Sequence, residues 1–505
     1  MNFYFLWTVA SLCISNLFFV NSIAQIKGDK YDSIALAIPV IDKLFMEYAT
    51  KNHLPGFVYG IVADGKLIHA TATGYSDILK RIPATSNTAF RIASMTKSFT
   101  AMAILKLRDE GKLSLDDPAY LFIPELKDQK YLTTDAPPIT IRHLMTHGAG
   151  FPEDNPWGDR QLEKTDSALK DMLKKGISFS NDPGIAYEYS NMGFALLGYI
   201  IKKVSGKSYE DYITQNILHP LKMTHTYWEF SLVPEVQLGH GYRWLDKWVE
   251  QPMLHDGSYG AMGGMITTLE DFTKYVSFQL SAWPPSSEIE TGPIRRSSLR
   301  ELQHPWNIPI LIPQYHYPSG RVCPVVTSYG YGLNWRKDCE GRISVGHNGG
   351  LPGFGSSWSM MPDYGIGIIA FANLTYAPAS AFNVMALDTL LSISRLQPPR
   401  RLISTILNQR KTELFNILRD WKLSESTGIF AENFFMDYFI DSLQKESDNT
   451  FKKAGKIIRV RDLVAENNLR GHFIIECEKA NVEVSFTLTQ ENPPLIQEYH
   501  LRLKD

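Results

Sequence analysis

Long apolar stretches are nearly absent from this sequence. After the first two dozen residues no run approaches the roughly 20 residues that a membrane-spanning helix needs; the best is Gly365 to Ala372. Charge of one sign is lacking as well, with 51 basic residues against 53 acidic and a formal net charge of -2. No overall excess draws the protein onto nucleic acid or an anionic membrane. Internal repeats and low-complexity tracts are missing, and an aromatic share of 12% argues against extended disorder. Neither a Gly-x-Ser-x-Gly elbow nor a His-Glu-x-x-His pair is found, so α/β-hydrolase and zinc-protease readings lack their signatures.

Cysteine is scarce, with four in 505 residues. One of them, Cys13, falls in an apolar N-terminal stretch, Phe3 to Val20, interrupted by Thr8, Ser11, Ser15 and Asn16. Ser22-Ile23-Ala24 then gives the small-x-small pattern of a signal-peptidase site. Residues 1–24 therefore read as a cleaved signal peptide, although no Lys or Arg stands near the start. The expected product is a periplasmic or secreted protein without stable membrane insertion. It keeps Cys323, Cys339 and Cys477, an odd set that excludes a complete disulfide framework and allows one bridge. Cys323 and Cys339 are the only pair close in sequence.

What is present is a mixed pattern of helices and strands. Ile41, Leu44, Phe45 and Tyr48 give Pro39 to Lys51 an amphipathic helical spacing. Two strand-like runs, Gly56 to Val62 and Leu67 to Ala72, flank Ala63-Asp64-Gly65-Lys66, where Asp-Gly signals a hairpin. From Arg91 to Val276 helical patterns dominate, and Tyr329 to Asn373 returns to short strands, so the last strands are expected to close the sheet that the hairpin starts. Trp283 to Pro324 reads as a long irregular excursion. Pro398 and Pro399 stop a helix-like run from Ser380 to Leu396, and a boundary is placed there. The class is α+β: a main domain over 25–397 and a small accessory α+β domain over 398–505, with helical stretches Leu402 to Leu423 and Asn433 to Lys453 followed by three strands.

Three short motifs carry chemistry. If Ser94 opens a helix, Lys97 lies on the same face within reach of its hydroxyl. The apolar run after Lys97 implies burial, which disfavours the charged amine and leaves a base able to activate a serine. Tyr189-Ser190-Asn191 stands before an apolar run, where Tyr189 suits proton transfer and Asn191 suits a substrate carbonyl or Lys97. In Gly346-His347-Asn348-Gly349-Gly350, glycines allow a substrate to lie along a strand edge. Taken singly, each also fits an ordinary turn or cap. His143 and His147 stand four apart, as metal ligands on one helix face do, but Glu153 and Asp154 complete no established pattern. No metal or other cofactor is expected.

Together, Ser94-Met95-Thr96-Lys97, Tyr189-Ser190-Asn191 and His347-Asn348-Gly349 resemble the Ser-x-x-Lys, Tyr-x-Asn and Lys-or-His-x-Gly motifs of the penicillin-binding protein and class C β-lactamase family. Gly111 to Pro118, Ile141 to Gly150 and Gly263 to Thr268 are similar too, and the likeness extends over about Ile34 to Leu396. The resemblance implies a β-lactamase/DD-peptidase-like fold, an antiparallel sheet flanked by helices plus a helical subdomain. It also implies a Ser94 acyl-enzyme, with Lys97 and Tyr189 sharing the proton work and the oxyanion on the Ser94 and Gly350 amides. Asn191 would touch the substrate amide or Lys97, and His347 would tune the protons around Tyr189. His347 resembles the DD-peptidases, D-aminopeptidases and esterases of the family. Asn348 replaces a hydroxyl residue that helps bind a substrate carboxylate, which counts against carboxypeptidase and penicillinase activity unless an arginine or another donor of the 283–324 excursion supplies the missing contact. The expected substrate is a small molecule or peptide with an ester or amide bond related to peptidoglycan peptides. The rivals are a carboxylesterase, a D-aminopeptidase and a non-catalytic penicillin-binding sensor.

Overall fold

The computed structural model describes residues 30–307, 310–398, 403–419, 421 and 428–504. The proposed signal peptide lies outside them. The chain divides into two compact units, one ending at Gln397 and the other beginning at Pro398.

In the first unit a helix over residues 30–51 (α1) leads into β1 (Gly56–Ala63) and β2 (Lys66–Asp77). Asp64 and Gly65 between them both take positive φ, 47° and 76°. A two-residue turn of that kind matches the twist of its strands, and Gly65 adopts it without the clash a Cβ brings. The short β3 (Ile82–Pro83) continues the edge. The remaining strands come much later: β4 (Ile310–His316), β5 (Val322–Tyr329), β6 (Asn334–Asp338), β7 (Ile343–Leu351), β8 (Phe354–Met361) and β9 (Ile366–Ala372). They form one nine-stranded sheet in the order β3-β2-β1-β9-β8-β7-β6-β5-β4. The closure expected from chain order is present, since β9 pairs antiparallel with β1 from Phe57 opposite Ala372 to Ala63 opposite Ile366.

Alternation along β1 assigns its side chains to two cores. Phe57, Tyr59 and Ile61 pack with Ile34, Ile41 and Phe45 of α1 and with Phe382 and Leu390 of a helix, Ala379–Ser394. Val58 and Val62 turn to the opposite face, where Phe99, Leu197, Phe272 and Val276 belong to the larger core. That core carries α2 (Lys97–Asp109), α3 (Asn191–Ser205) and α4 (Leu269–Leu280). With both faces covered, β1 and β9 read as nearly continuous apolar runs, and both are buried at every position.

The 283–324 stretch is more regular than its composition suggests. It contains a helical segment, Arg296–Leu302, all of β4 and the start of β5. Pro313 and Pro324 hid these strands from the sequence pattern. Pro313 lies on the outermost strand, and Pro324 lies where the β4–β5 register shifts between Cys323 and Val325, places where a missing amide is tolerated. Cys323 and Cys339 are disulfide-bonded. Among the described residues Cys477 is a free, buried cysteine.

The second unit has its own apolar core, in which Leu407 and Leu414 of helix Thr405–Arg419 and Leu443 of helix Ile440–Ala454 meet Phe473, Val484 and Ile496. Its sheet includes Arg470–Cys477, Asn481–Leu488 and Ile496–Lys504, the three strands expected there, and adds Ile457–Val460 and Val464–Ala465.

Candidate active site

Ser94 lies in a 3-10 turn, Ala93–Thr96, that runs directly into α2. The residue before it, Ala93, is held at φ 50°. That left-handed conformation costs a residue with a Cβ about 1–2 kcal/mol, and it is fixed by packing on both sides. Ser356 Oγ of β8 donates to Ile92 O at 2.7 Å, and Ile92 N donates to Met265 O at 3.0 Å.

One helical turn on, Lys97 is wholly buried, and its amine lies 2.9 Å from Ser94 Oγ. Two further oxygens complete its surroundings, Asn191 Oδ1 and Met262 O, each at 2.8 Å. Neither of these can donate to the amine, provided Asn191 keeps its oxygen toward Lys97. That orientation follows from the next bond, in which Asn191 Nδ2 donates to Asn155 Oδ1 at 3.1 Å. A neutral amine has two N–H bonds and one lone pair. Its two hydrogens are taken by Asn191 Oδ1 and Met262 O, and the lone pair faces the Ser94 hydroxyl.

Burial drives Lys97 toward that neutral form, lowering its pKa to about 7 against the opposing pull of Asp159 and Asp154. The same burial keeps the neighbouring groups uncharged. Tyr189 is raised well above the ordinary phenol range, while its hydroxyl is hydrogen-bonded to Ser94. Its ring lies against Lys97, with the amine 5.0 Å from the centroid. His347 is pushed down to about 3 by burial and by Lys97. Its Nδ1 lies 2.6 Å from Asn348 O, so Nδ1 carries the hydrogen and Nε2 accepts from Tyr329 Oη at 2.8 Å. His347 thus reaches Tyr329 through a hydrogen bond, and Tyr189 only through ring packing at 6.2 Å.

Tyr189 and Asn191 flank Ser190, the N-cap of α3, whose hydroxyl accepts from Gly193 N. Asp154 holds the same helix end, accepting from Asn191 N at 2.6 Å and Met192 N at 3.0 Å. A carboxylate at a helix N-terminus is favoured by the free amides and the helix dipole, and here it fixes the residue that orients Lys97. On the other side of Tyr189, His147 Nδ1 accepts from Ser190 N at 3.0 Å, and its ring packs 4.3 Å from that of Tyr189. His143 is elsewhere engaged, as the N3 residue of a capping box with Thr140.

Strand β7 supplies the third wall. Gly349 comes so near the nucleophile turn that a Cβ there would stand 2.2 Å from Ile92 O and 3.0 Å from Ala93 Cβ. Ser94, Tyr189, His347, Asn348, Gly349 and Gly350 line one cleft, with Lys97 and Asn191 buried beneath it. Asn155, Asp159 and Tyr376 line it as well. These three, with Met262 and Tyr329, had no signal in the motif pattern, because each depends on segments brought together by the fold, and His147 and Asp154 were singled out only as weak metal-ligand candidates. Among the described residues no arginine lines this cleft, but the cavity beside it shares Asn334, His347, Asn348 and Ser380 with it and is lined by Arg321, Arg336 and Arg342. Arg321 of the 283–324 stretch is paired with Asp338, Glu340 and Asp388 instead.

The electrostatics predict a one-sided pH profile. Protonated Lys97 has no lone pair for Ser94, so with a neutral ester kcat/KM should fall about tenfold per pH unit below a midpoint near 7 and level off above it. The charged or titratable groups acting on Lys97 are Asp154, Asp159, His147 and His347; neither histidine gains a proton in this range, whereas burial raises Asp159 to about 7 as well, so the midpoint belongs to the Lys97–Asp159 pair. A rate flat between pH 5 and 9 would contradict Lys97 as the proton acceptor.

Comparison with known proteins agrees with this geometry. The family model described as Beta-lactamase matches residues 41–388. Protein flp of Staphylococcus aureus (strain N315) is 31% identical over 386 residues, 75% of this chain and 70% of that protein. Penicillin-binding protein 4* of Bacillus subtilis (strain 168) is 31% identical over 191 residues, 37% of this chain and 40% of that one. Two solved structures share the fold: an octameric penicillin-binding protein homologue from Pyrococcus abyssi and a class C β-lactamase mutant. The first has a TM-score of 0.58 at 24% identity, covering 92% of this chain and all of the other. The second has a TM-score of 0.56 at 21% identity, covering 70% of this chain and 97% of the other. A Ser-x-x-Lys pair joined through a buried amine, inside a family match that spans most of the chain, leads to one conclusion: the protein belongs to the β-lactamase family of serine hydrolases.

Proposed function

We propose that the protein is an exported hydrolase that cleaves a small ester or amide through a Ser94 acyl-enzyme. The observation that carries this reading is the coordination of the Lys97 amine, with two fixed acceptors and the Ser94 hydroxyl around it. Lys97 Nζ accepts the Ser94 proton as Oγ bonds to the carbonyl carbon, and the carbonyl electron pair moves onto oxygen. The amides of Ser94 and Gly350 receive that oxyanion. When it collapses, the bond to the leaving group breaks, and the leaving group takes a proton from the Tyr189 hydroxyl, which is replenished from Lys97. Water then repeats the sequence: its proton passes to Lys97, its oxygen bonds to the acyl carbon, and Ser94 Oγ leaves and regains a proton.

The cleft favours esterase or aminopeptidase chemistry over carboxypeptidase chemistry, because no lysine or arginine among its described lining residues meets a substrate carboxylate, and the arginines beyond His347 and Asn348 line the adjoining cavity instead. The Asn348 carbonyl oxygen Oδ1 is itself occupied, accepting from Ser357 Oγ at 2.9 Å. A peptidoglycan peptide with a free carboxylate is the second reading, supported by the penicillin-binding relative. The disulfide between Cys323 and Cys339 supports export, since such bonds persist in oxidising compartments.

Intact-mass spectrometry after incubation with a fluorophosphonate and, separately, with a penicillin tests the reading. The expected result is one fluorophosphonate adduct on Ser94 and slow or incomplete penicillin labelling. Rapid, stoichiometric penicillin labelling of Ser94 would favour the carboxylate-binding alternative. Folded protein that takes neither reagent would refute the acyl-enzyme.

A further inference from the structure

Asp159 is the carboxylate of the cleft. It is 3% exposed yet lines the same space as Ser94, and it has no counterpart in the three motifs. Its position is fixed by the segment that precedes it. Asp159 N donates to Asn155 O at 3.0 Å, Asn155 Oδ1 receives the Asn191 amide, and Gly158 lies so close to Asn191 that a Cβ would stand 2.8 Å from the Asn191 Cβ. The segment from Asn155 to Asp159 is therefore clamped onto the residue that orients Lys97. The carboxylate accepts a hydrogen bond from the half-exposed Tyr376 hydroxyl. Among the described residues no lysine, arginine or histidine forms an ion pair with it. A carboxylate buried without a cation is costly, and burial raises its pKa despite the field of Lys97. Arg160 and Arg243 act on Tyr376, but neither lines the cleft.

Resting on the acyl-enzyme reading, we infer that the acyl donor carries a protonated amine, which Asp159 binds as its counterion with the Tyr376 hydroxyl beside it. The substrate class is then an aminoacyl ester or amide with a free amino group. The ammonium supplies the charge that the carboxylate lacks, and among the described residues no lysine or arginine lines the cleft to compete with it, Lys97 lying beneath and acting on Asp159 only through its field. An N-acylated donor brings no charge and leaves Asp159 buried and unpaired.

The experiment measures kcat/KM for the benzyl esters of D- and L-alanine and for their N-acetyl forms, by release of benzyl alcohol. Wild-type protein is expected to prefer the free amine of at least one enantiomer by about thirtyfold or more. Asp159→Asn should lower the rate on the free-amine ester about thirtyfold more than on the N-acetyl ester, and Tyr376→Phe should erode the preference in the same direction. Because Tyr376 is 46% exposed, the second variant keeps the test alive if Asp159→Asn folds poorly. Equal losses on both esters would overturn the inference and make Asp159 a positioning residue acting through Lys97. A wild-type preference for the acetylated ester would overturn it as well. Fluorophosphonate labelling run in parallel separates the two levels: labelled Ser94 without amine preference sinks this inference alone, and unlabelled Ser94 sinks the acyl-enzyme with it.

Discussion

Ser94→Ala should lower kcat by about 10⁴- to 10⁶-fold and abolish fluorophosphonate labelling, with little change in thermal stability. The hydroxyl is small, and the amine beside it keeps its two other partners, Asn191 Oδ1 and Met262 O. Lys97→Met removes the proton acceptor while leaving a chain of similar length in a buried site, and should cost about 10²- to 10⁴-fold. The informative measurement is the double variant. Ser94 and Lys97 act as one unit, so Ser94→Ala with Lys97→Met should be no slower than Ser94→Ala alone. Losses that multiply would mean that each residue serves a separate step, contrary to the geometry in which one lone pair meets one hydroxyl.

Gly349→Ala should lower acylation about 100-fold although no reacting atom is removed. The obstacle is steric rather than conformational: the new methyl would stand 2.2 Å from Ile92 O and 2.3 Å from Ser356 Oγ. The oxygen and the hydroxyl are tied to each other by the bond that holds the nucleophile turn against the sheet. To accept the methyl, β7 must move off that turn by about 1 Å, carrying the Gly350 amide away from Ser94, and displacements of that size cost about 10²-fold in well-ordered sites. Gly350→Ala gives the contrast. Its methyl meets the Tyr376 ring at 2.8 Å, and that ring is half-exposed and can give way more easily than the backbone that faces Gly349. A smaller loss is expected there, measured as the rate of fluorophosphonate labelling. Equal effects at the two positions would show that the close approach of β7 to the turn is not what sets the geometry.

Much of the site was legible in sequence because its motifs are local. Ser94 and Lys97 meet within one helical turn, and Tyr189 and Asn191 are two residues apart around a cap, so short-range periodicity is enough to pair them. Hairpin and helices were legible for the same reason, as at Asp64-Gly65 and along Ile41 and Phe45. Residues contributed by distant loops were not legible. Asp154 and Asp159 reach the site only because residues 154–159 fold back on α3, and Met262 contributes a carbonyl that any residue possesses. The outer strands β4 and β5 were obscured by their prolines and, in β4, by exposure on both faces, which erases the alternation that marks a strand. The partner of His347 escaped as well, since Tyr329 stands on β5, two strands away from β7 in the sheet.

The pairing of β1 with β9 also governs how the molecule is made. Strand β1 waits for a partner from the far end of the same unit, with Phe57 opposite Ala372 and the whole helical region emerging between them. Contacts so remote in sequence form slowly, because the intervening chain must be closed into a loop before they give any return. During synthesis β1 has β2 on one side and a bare row of amides and carbonyls on the other until β9 arrives. A chain interrupted before Ile366 therefore ends as an open apolar edge, competent to pair with its own copies. Ser94 is translated early, but its third wall, β7, and the strand that locks β7 into the sheet, β8, come only from Ile343 onward, so the nucleophile is completed only when the fold closes.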